Sequence, residues 1–336
     1  MSVSRTTLVL PVLILSIVLL LTIASGQSAH KGQSQIANAH ALTPDDPGTE
    51  PVQLHITVTG KDDDFVNGLQ QNHFEILVEK TPAKIVSFQN QDAPTSIGIV
   101  FDSSGSVRNA SQEKTRRDFL MVREAIGGFL KQSNTANEYF LLGFNVKPQL
   151  LSDWTSDHSK LLDAFNHLTI FGNTAFYDSS YVAVDKLMTS RHAKRVLLLI
   201  GDGQDNLSHY TFKELRELIR NTGVIVYTIC FSGRPDYLAS NLGEEGKSIL
   251  RELSVASGGR VYLNDGHPIK PKEMSTVLEK IANELRHQYS LSIVPGEPGG
   301  VRKWRKIKTV VKPDSSMEKI RTRTREGFYS GRPTTN

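Results

Sequence analysis

Between residues 96 and 287 the chain alternates short apolar runs with helical stretches, and this alternation constrains its architecture more than any other feature. Residues 97–101, 138–144, 194–200 and 224–231 are dominated by Ile, Leu, Val, Phe and Tyr, as strands buried on both faces are. Between them, residues 112–132 place Phe119, Val122, Ile126 and Phe129 at helical spacing. Residues 159–168, 175–189, 211–220, 248–257 and 272–287 read as further helices, and 260–263 as one more short strand. Thr211 and Glu214 fit a capping box, in which the hydroxyl accepts the N–H of Glu214 and the carboxylate reaches back to the N–H of Thr211. Parallel strands joined by helices require right-handed crossovers that lay helices over both faces of the sheet. The expectation is a doubly wound α/β unit with a mostly parallel sheet over residues 95–287.

On either side the pattern changes. Residues 52–59 alternate Val52, Leu54, Ile56 and Val58 with polar neighbours, and 74–79 and 83–89 follow as short strands. Asp62, Asp63 and Asp64 read as a solvated turn, because the glycine and distal glutamate of a calcium-binding EF-hand loop are missing. Past His287 the helices stop, and 289–294, 304–311 and 319–324 read as strands, with a turn at 295–300. Neither flank is long enough to bury much apolar surface alone. Residues 52–94 and 288–330 are therefore expected to pair into one small β-sandwich-like domain, with the α/β unit inserted in it. Residues 302–308 are basic, but their alternation fits an edge strand with a solvated face better than a nucleic-acid or lipid contact.

At 336 residues the chain has room for about two domains. Its net charge of +4 is too small to suggest a nucleic-acid binder. Cys230 is the one cysteine, so an internal disulfide and a cysteine-based zinc site are both excluded; it reads as a small core residue. At the N-terminus Arg5 precedes an apolar run from Leu8 to Ile23, followed by Ala24, Ser25 and Gly26. That order is the one a secretory signal uses, so residues 1–26 are expected to be a cleaved signal or an uncleaved anchor. Residues 27–51 are polar, without periodicity, and read as a flexible linker. Either fate of the leader puts the rest of the chain outside the cytoplasm, secreted or periplasmic. His30, His40 and His55 read as surface or linker residues, and no histidine pair has metal-ligand spacing.

The chemistry concentrates after Phe101. Asp102-Ser103-Ser104-Gly105-Ser106 puts oxygen-bearing side chains at alternate positions, Asp102, Ser104 and Ser106, on a loop leaving a strand. A hard divalent cation such as magnesium takes about six oxygens. Gly172-Asn173-Thr174 and Gly201-Asp202-Gly203 offer the Thr174 hydroxyl and the Asp202 carboxylate from two more loops. Asp102 and Asp202 follow strands whose carboxyl ends form the edge where open parallel sheets take ligands. Asp205, three residues past Asp202, reads as a loop residue and not a ligand.

This constellation resembles the von Willebrand factor A domain and its metal-ion-dependent adhesion site: Asp-x-Ser-x-Ser, then a distant Thr, then a distant Asp. The pattern is complete here as Asp102, Ser104, Ser106, Thr174 and Asp202. The flanks, with Phe74-Glu75-Ile76-Leu77 before the unit and Gly327-Phe328-Tyr329 after it, resemble the bacterial VWFA-related proteins of the acidobacterial type. The resemblance implies a Rossmann-like fold and a magnesium or manganese ion held by those five residues. It also implies a coordination position left open for an Asp or Glu carboxylate of a protein or matrix partner.

A phosphatase of the haloacid dehalogenase type needs a second aspartate two residues after the first, where this chain has Ser104. A nucleophile elbow is missing from the Asp102 loop, and no phosphate-binding glycine loop with Lys-Ser/Thr occurs. The expectation is therefore a cation-dependent adhesion module and not an enzyme. A scaffold with a vestigial metal site and, less favoured, a magnesium-dependent hydrolase are the alternatives.

Overall fold

The computed structural model describes residues 51–90, 92–108, 111–233, 241–295, 303–312 and 320–330. The leader at 1–26 and the linker up to residue 50 lie outside them, as does most of the turn at 295–300. Among the described residues no helix is long and apolar enough to cross a membrane.

The chain enters through β1 (Val52–Thr59), β2 (Phe74–Val78), β3 (Thr81–Pro82) and β4 (Lys84–Gln89). The α/β unit then runs β5 (Thr95–Asp102), α1 (Gln112–Gln132), β6 (Glu138–Phe144), β7 (Pro148–Thr155), α2 (His158–Phe165) and α3 (Phe176–Leu187). It continues β8 (Lys194–Gly201), α4 (Phe212–Thr222), β9 (Ile225–Cys230), α5 (Asn241–Ser257), β10 (Val261–Tyr262) and α6 (Met274–Arg286). The exit is β11 (Tyr289–Val294), β12 (Lys303–Val311), β13 (Arg321–Arg323) and β14 (Gly327–Ser330).

The central sheet has the order β10-β9-β8-β5-β6-β7, parallel except for antiparallel β7 at one edge. Side chains alternate across it with the period of two that a strand imposes. Ile97, Ile99 and Phe101 of β5 and Val196, Leu198 and Ile200 of β8 join one core with Val122 of α1, Leu161 of α2 and Leu278 of α6. Val100, Leu197 and Leu199 point the other way and pack with Val184 of α3, Leu215 of α4 and Leu250 of α5. The sheet is thus doubly wound, as the sequence pattern requires. The capping box opens α4, where both the Thr211 and Glu214 contacts form, and Gly223 closes it in the left-handed region at φ 68°. Cys230 is buried in the core, and that burial pushes its thiol up to about 12.

The flanking strands build two four-stranded antiparallel sheets, β13-β1-β11-β4 and β14-β12-β2-β3. Strands from before and after the α/β unit pair directly: Leu54 of β1 opposes Leu291 of β11, and Ile76 of β2 opposes Thr309 of β12. The two sheets share one apolar core containing Leu54, Ile56, Val58, Phe74, Tyr289 and Phe328.

Three details differ from the sequence reading. β12 is not an edge strand: it lies between β14 and β2, and its lysines mark the solvated face of an interior strand. His55 is no surface residue, because both faces of β1 are covered and its ring is buried against Ser290 of β11. β7 carries no continuous apolar run and shows only as the half-exposed antiparallel edge.

Candidate metal centre

Asp102 is the last residue of β5, and the chain turns sharply after it into a single 3-10 turn at Gly105–Val107. Asp102 folds back on this turn, its Oδ1 accepting from the Ser104 N–H at 2.7 Å. Ser103 faces away, donating its N–H and its hydroxyl to the Phe144 carbonyl at 2.7 and 2.8 Å. Ser104 and Ser106 therefore share a side of the loop, with their hydroxyl oxygens 3.0 Å apart.

The other two loops are laced to the first. Gly105 donates to the Gly172 carbonyl at 3.0 Å, and Phe171 donates to that of Ser103 at 3.1 Å. Thr174 donates its N–H to the Asn206 side chain at 2.9 Å and accepts from the Asn206 N–H at 3.0 Å, which ties its loop to the one after β8. Asp202 follows Gly201, the end of β8, and accepts from the Gln204 N–H at 3.1 Å. Gly201 is needed where it is: a Cβ there would meet the Asp102 Cβ at 2.9 Å and its Oδ2 at 3.2 Å. The close approach is what sets the two carboxylates side by side. Asp205 is engaged elsewhere, accepting from Tyr177 N–H at the start of α3 and from Ser208.

The electrostatics follow from burial. Asp102, Ser104 and Asp202 are wholly buried and Thr174 nearly so. Burial first, and the neighbouring Asp202 second, push the Asp102 carboxyl up to about 8; burial likewise raises that of Asp202. One oxygen of each carboxylate, Oδ2 in both, is buried without a hydrogen-bond partner among the described residues. Burying a charge unpaired costs several kcal/mol, on the order expected for a desolvated ion. Two such oxygens beside two hydroxyls make a donor set of hard oxygens that fits a divalent cation. Among the described residues no group of three or more His, Cys, Asp and Glu is gathered at one point, so the set is carboxylate-poor and hydroxyl-rich.

All five residues singled out in the sequence thus lie on three loops at one rim of the sheet. Asn206 and Asn145 were not singled out; Asn145 accepts the Ala175 N–H at 2.7 Å through its carbonyl, and together they hold the Thr174 loop in place. Their only signal in the sequence is adjacency to a strand end.

Residues 97–204, which run from β5 to just past Asp202, match the family profile described as von Willebrand factor type A domain. This segment belongs to the von Willebrand factor type A family. Solved structures similar to the chain include the PilB minor pilin from Streptococcus sanguinis, at 14% identity over 60% of this chain and 63% of that one, with a TM-score of 0.44. The vWF domain of the type V pili tip protein Mfa5 from Porphyromonas gingivalis is 12% identical over 57% of this chain and 95% of its own, TM-score 0.44. A von Willebrand factor type A protein from Catenulispora acidiphila is 11% identical over 88% and 76%, TM-score 0.45. The chain spans less than two thirds of the pilin's length. No curated protein matches the sequence.

Proposed function

We propose that the von Willebrand factor type A domain of this chain is an extracytoplasmic protein-binding module whose rim site holds magnesium or manganese. Asp102, Ser104, Ser106, Thr174 and Asp202 are the ligands of that reading. A divalent cation bound there supplies an electrophilic seat for a carboxylate donated by a protein or matrix partner. The chain's own residues set the terms of that seat. Ser104, Ser106 and Thr174 contribute neutral oxygens, so Asp102 and Asp202 together do no more than balance the ion's two charges, and an outside acidic oxygen meets no net negative charge at the site. The extracytoplasmic part rests on the signal-like order of residues 5–26.

The observation that carries the reading is the pair of buried, unpartnered carboxylate oxygens on Asp102 and Asp202 beside the Ser104 and Ser106 hydroxyls. A hydrolase reading lacks an acid at position 104, where a buried serine stands. Titration calorimetry with magnesium and with manganese tests the assignment. The expected result is one saturable site in the wild type, abolished by Asp102→Ala while the circular dichroism spectrum is retained. Undiminished binding in that variant would remove the assignment. Partner capture that survives a chelator would point instead to a scaffold with an idle metal site.

A further inference from the structure

At the opposite side of the molecule's functional map, a cavity of about 480 Å³ lies among β1, the start of β8, the end of α4 and the last strand, β14. Its lining includes His55, Arg195 and Arg325, with Val52 and Phe328 as apolar wall, and contains no Asp or Glu among the described residues. This composition is unusual for a surface with arginines, which normally carry a carboxylate partner when they are partly buried.

Among the described residues neither arginine has one. Arg325 donates through Nε to the Gly327 carbonyl at 2.7 Å and through Nη2 to that of Arg220 at 2.5 Å, and no acidic side chain among the described residues pairs with it. Its Nη1 has no acceptor among the described residues. That nitrogen occupies space which only a glycine leaves open, since a Cβ on Gly223 would meet it at 2.5 Å. Arg195 donates through Nε to the Ser190 hydroxyl at 3.2 Å, which leaves both of its terminal nitrogens without a described protein acceptor. His55 completes the group. Its Nδ1 lies 2.9 Å from the Ser290 hydroxyl, and in the tautomer where that hydroxyl donates, Nε2–H is left as a further donor.

We propose that this cavity is a binding site for a small organic oxyanion, a carboxylate or a phosphate monoester, with Arg195 and Arg325 as the charged donors and His55 as a neutral one. Planar guanidinium forks match the geometry of both anions. The apolar wall of Val52 and Phe328 takes the body of the ligand. The local field agrees: burial, then Lys194, Arg325 and Arg195, hold the His55 ring down to about 3, so it stays neutral beside the two arginines. Burial with no carboxylate to oppose it also lowers the Arg325 guanidinium to about 10.

The site is independent of the metal rim, so its test is run on the full chain freed of divalent metal by a chelating resin, with no soluble chelator present. Inorganic phosphate, phenyl phosphate and benzoate are titrated by calorimetry at constant ionic strength in chloride, against wild type, Arg195→Gln, Arg195→Lys and the remote control Arg116→Gln. Arg195 is varied because Arg325 also holds the end of α4 and its loss would disturb folding. The expected result is one saturable site, weakened at least tenfold by Arg195→Gln, less by Arg195→Lys and not at all by Arg116→Gln. In the wild type the His55 ring resonance shifts with the same saturation curve. Tighter binding of phenyl phosphate than of benzoate assigns the phosphate class, and the reverse assigns the carboxylate. No saturable heat with any of the three, or equal affinity in Arg195→Gln, overturns the proposal, as does a His55 resonance that ignores the titration.

Discussion

At the scale of single residues, the molecule holds buried charges that respond to pH in opposite senses, and they can be separated by substitution. The Asp102 carboxyl is raised from 3.8 to about 8 by burial and by Asp202. A proton is therefore held more tightly in the folded chain than in the unfolded one. In the absence of a cation this stabilises the fold at low pH, and the stabilisation is lost as pH rises from about 4 to about 8. His55 works the other way: its value falls from 6.5 to about 3, so acidification below about 6.5 favours the unfolded chain. Lys194, lowered from 10.5 to about 7 chiefly by burial, adds stability as pH rises from about 7 to about 10.5. The difference between wild type and Asp102→Asn cancels the last two. Urea unfolding in chelator should show wild type losing up to about 1.4 kcal/mol per pH unit relative to Asp102→Asn between pH ~5 and ~8. Saturating magnesium should flatten that difference, because a cation takes over the role of the proton. A difference that stays flat in chelator would mean that the two carboxylates are not forced together as the Gly201 contact indicates.

At the scale of elements, close backbone approach fixes how α5 returns to the sheet, while α1 has slack. Gly259 lies between α5 and β10, and a Cβ there would meet the Val226 carbonyl oxygen at 2.0 Å. Since the obstacle is backbone of a central strand, Gly259→Ala should destabilise by about 3 kcal/mol or more. Gly128, inside α1, has nothing within 4 Å of its would-be Cβ, so Gly128→Ala should stabilise by about 1 kcal/mol through helix propensity alone. Chemical denaturation of the two variants checks both signs at once. The elements that were legible in the sequence are those whose burial is two-sided or periodic: β5, β8 and β9 read as apolar runs, and α1 as a helical stripe. β7 was not legible, because an edge strand with Pro148 and a half-exposed face leaves no run and no clean alternation. The first half of α5, with Gly243, Glu244, Glu245 and Gly246, likewise shows no apolar period. The five residues proposed as ligands stand out in the sequence because their types and order are themselves the signal. Asn206 was not, since its value lies in which loop it faces, and that is decided by the sheet.

At the scale of the whole molecule, one buried polar cluster couples the flanking sheets to the α/β unit. Glu284, near the end of α6, is buried, and its Oε1 accepts from Arg323 of β13 at 2.5 Å, from Thr57 of β1 at 3.3 Å and from the Tyr227 hydroxyl of β9. Gln288 adds bonds to Thr57 and Tyr227 at 3.1 and 3.0 Å. Two strands of the flanking sheet and two elements of the α/β unit thus meet at one carboxylate oxygen. Arg323→Leu strands that carboxylate without its cation, which should cost about 3–5 kcal/mol. Adding Glu284→Leu removes the stranded charge, so the double variant should be more stable than Arg323→Leu alone, although two further contacts, from Thr57 and Tyr227, are then missing. The two tryptophans report on the two sides, Trp154 from β7 and Trp304 from β12. In single-tryptophan versions of the wild type the two fluorescence transitions should coincide, because the cluster makes the sheets unfold as one. In Arg323→Leu the Trp304 transition should move to lower denaturant ahead of Trp154, since the flanking sheets lose their tie while the doubly wound core keeps its own. Transitions that remain superimposed in Arg323→Leu would show that the apolar contacts between the parts, and not this cluster, carry the coupling.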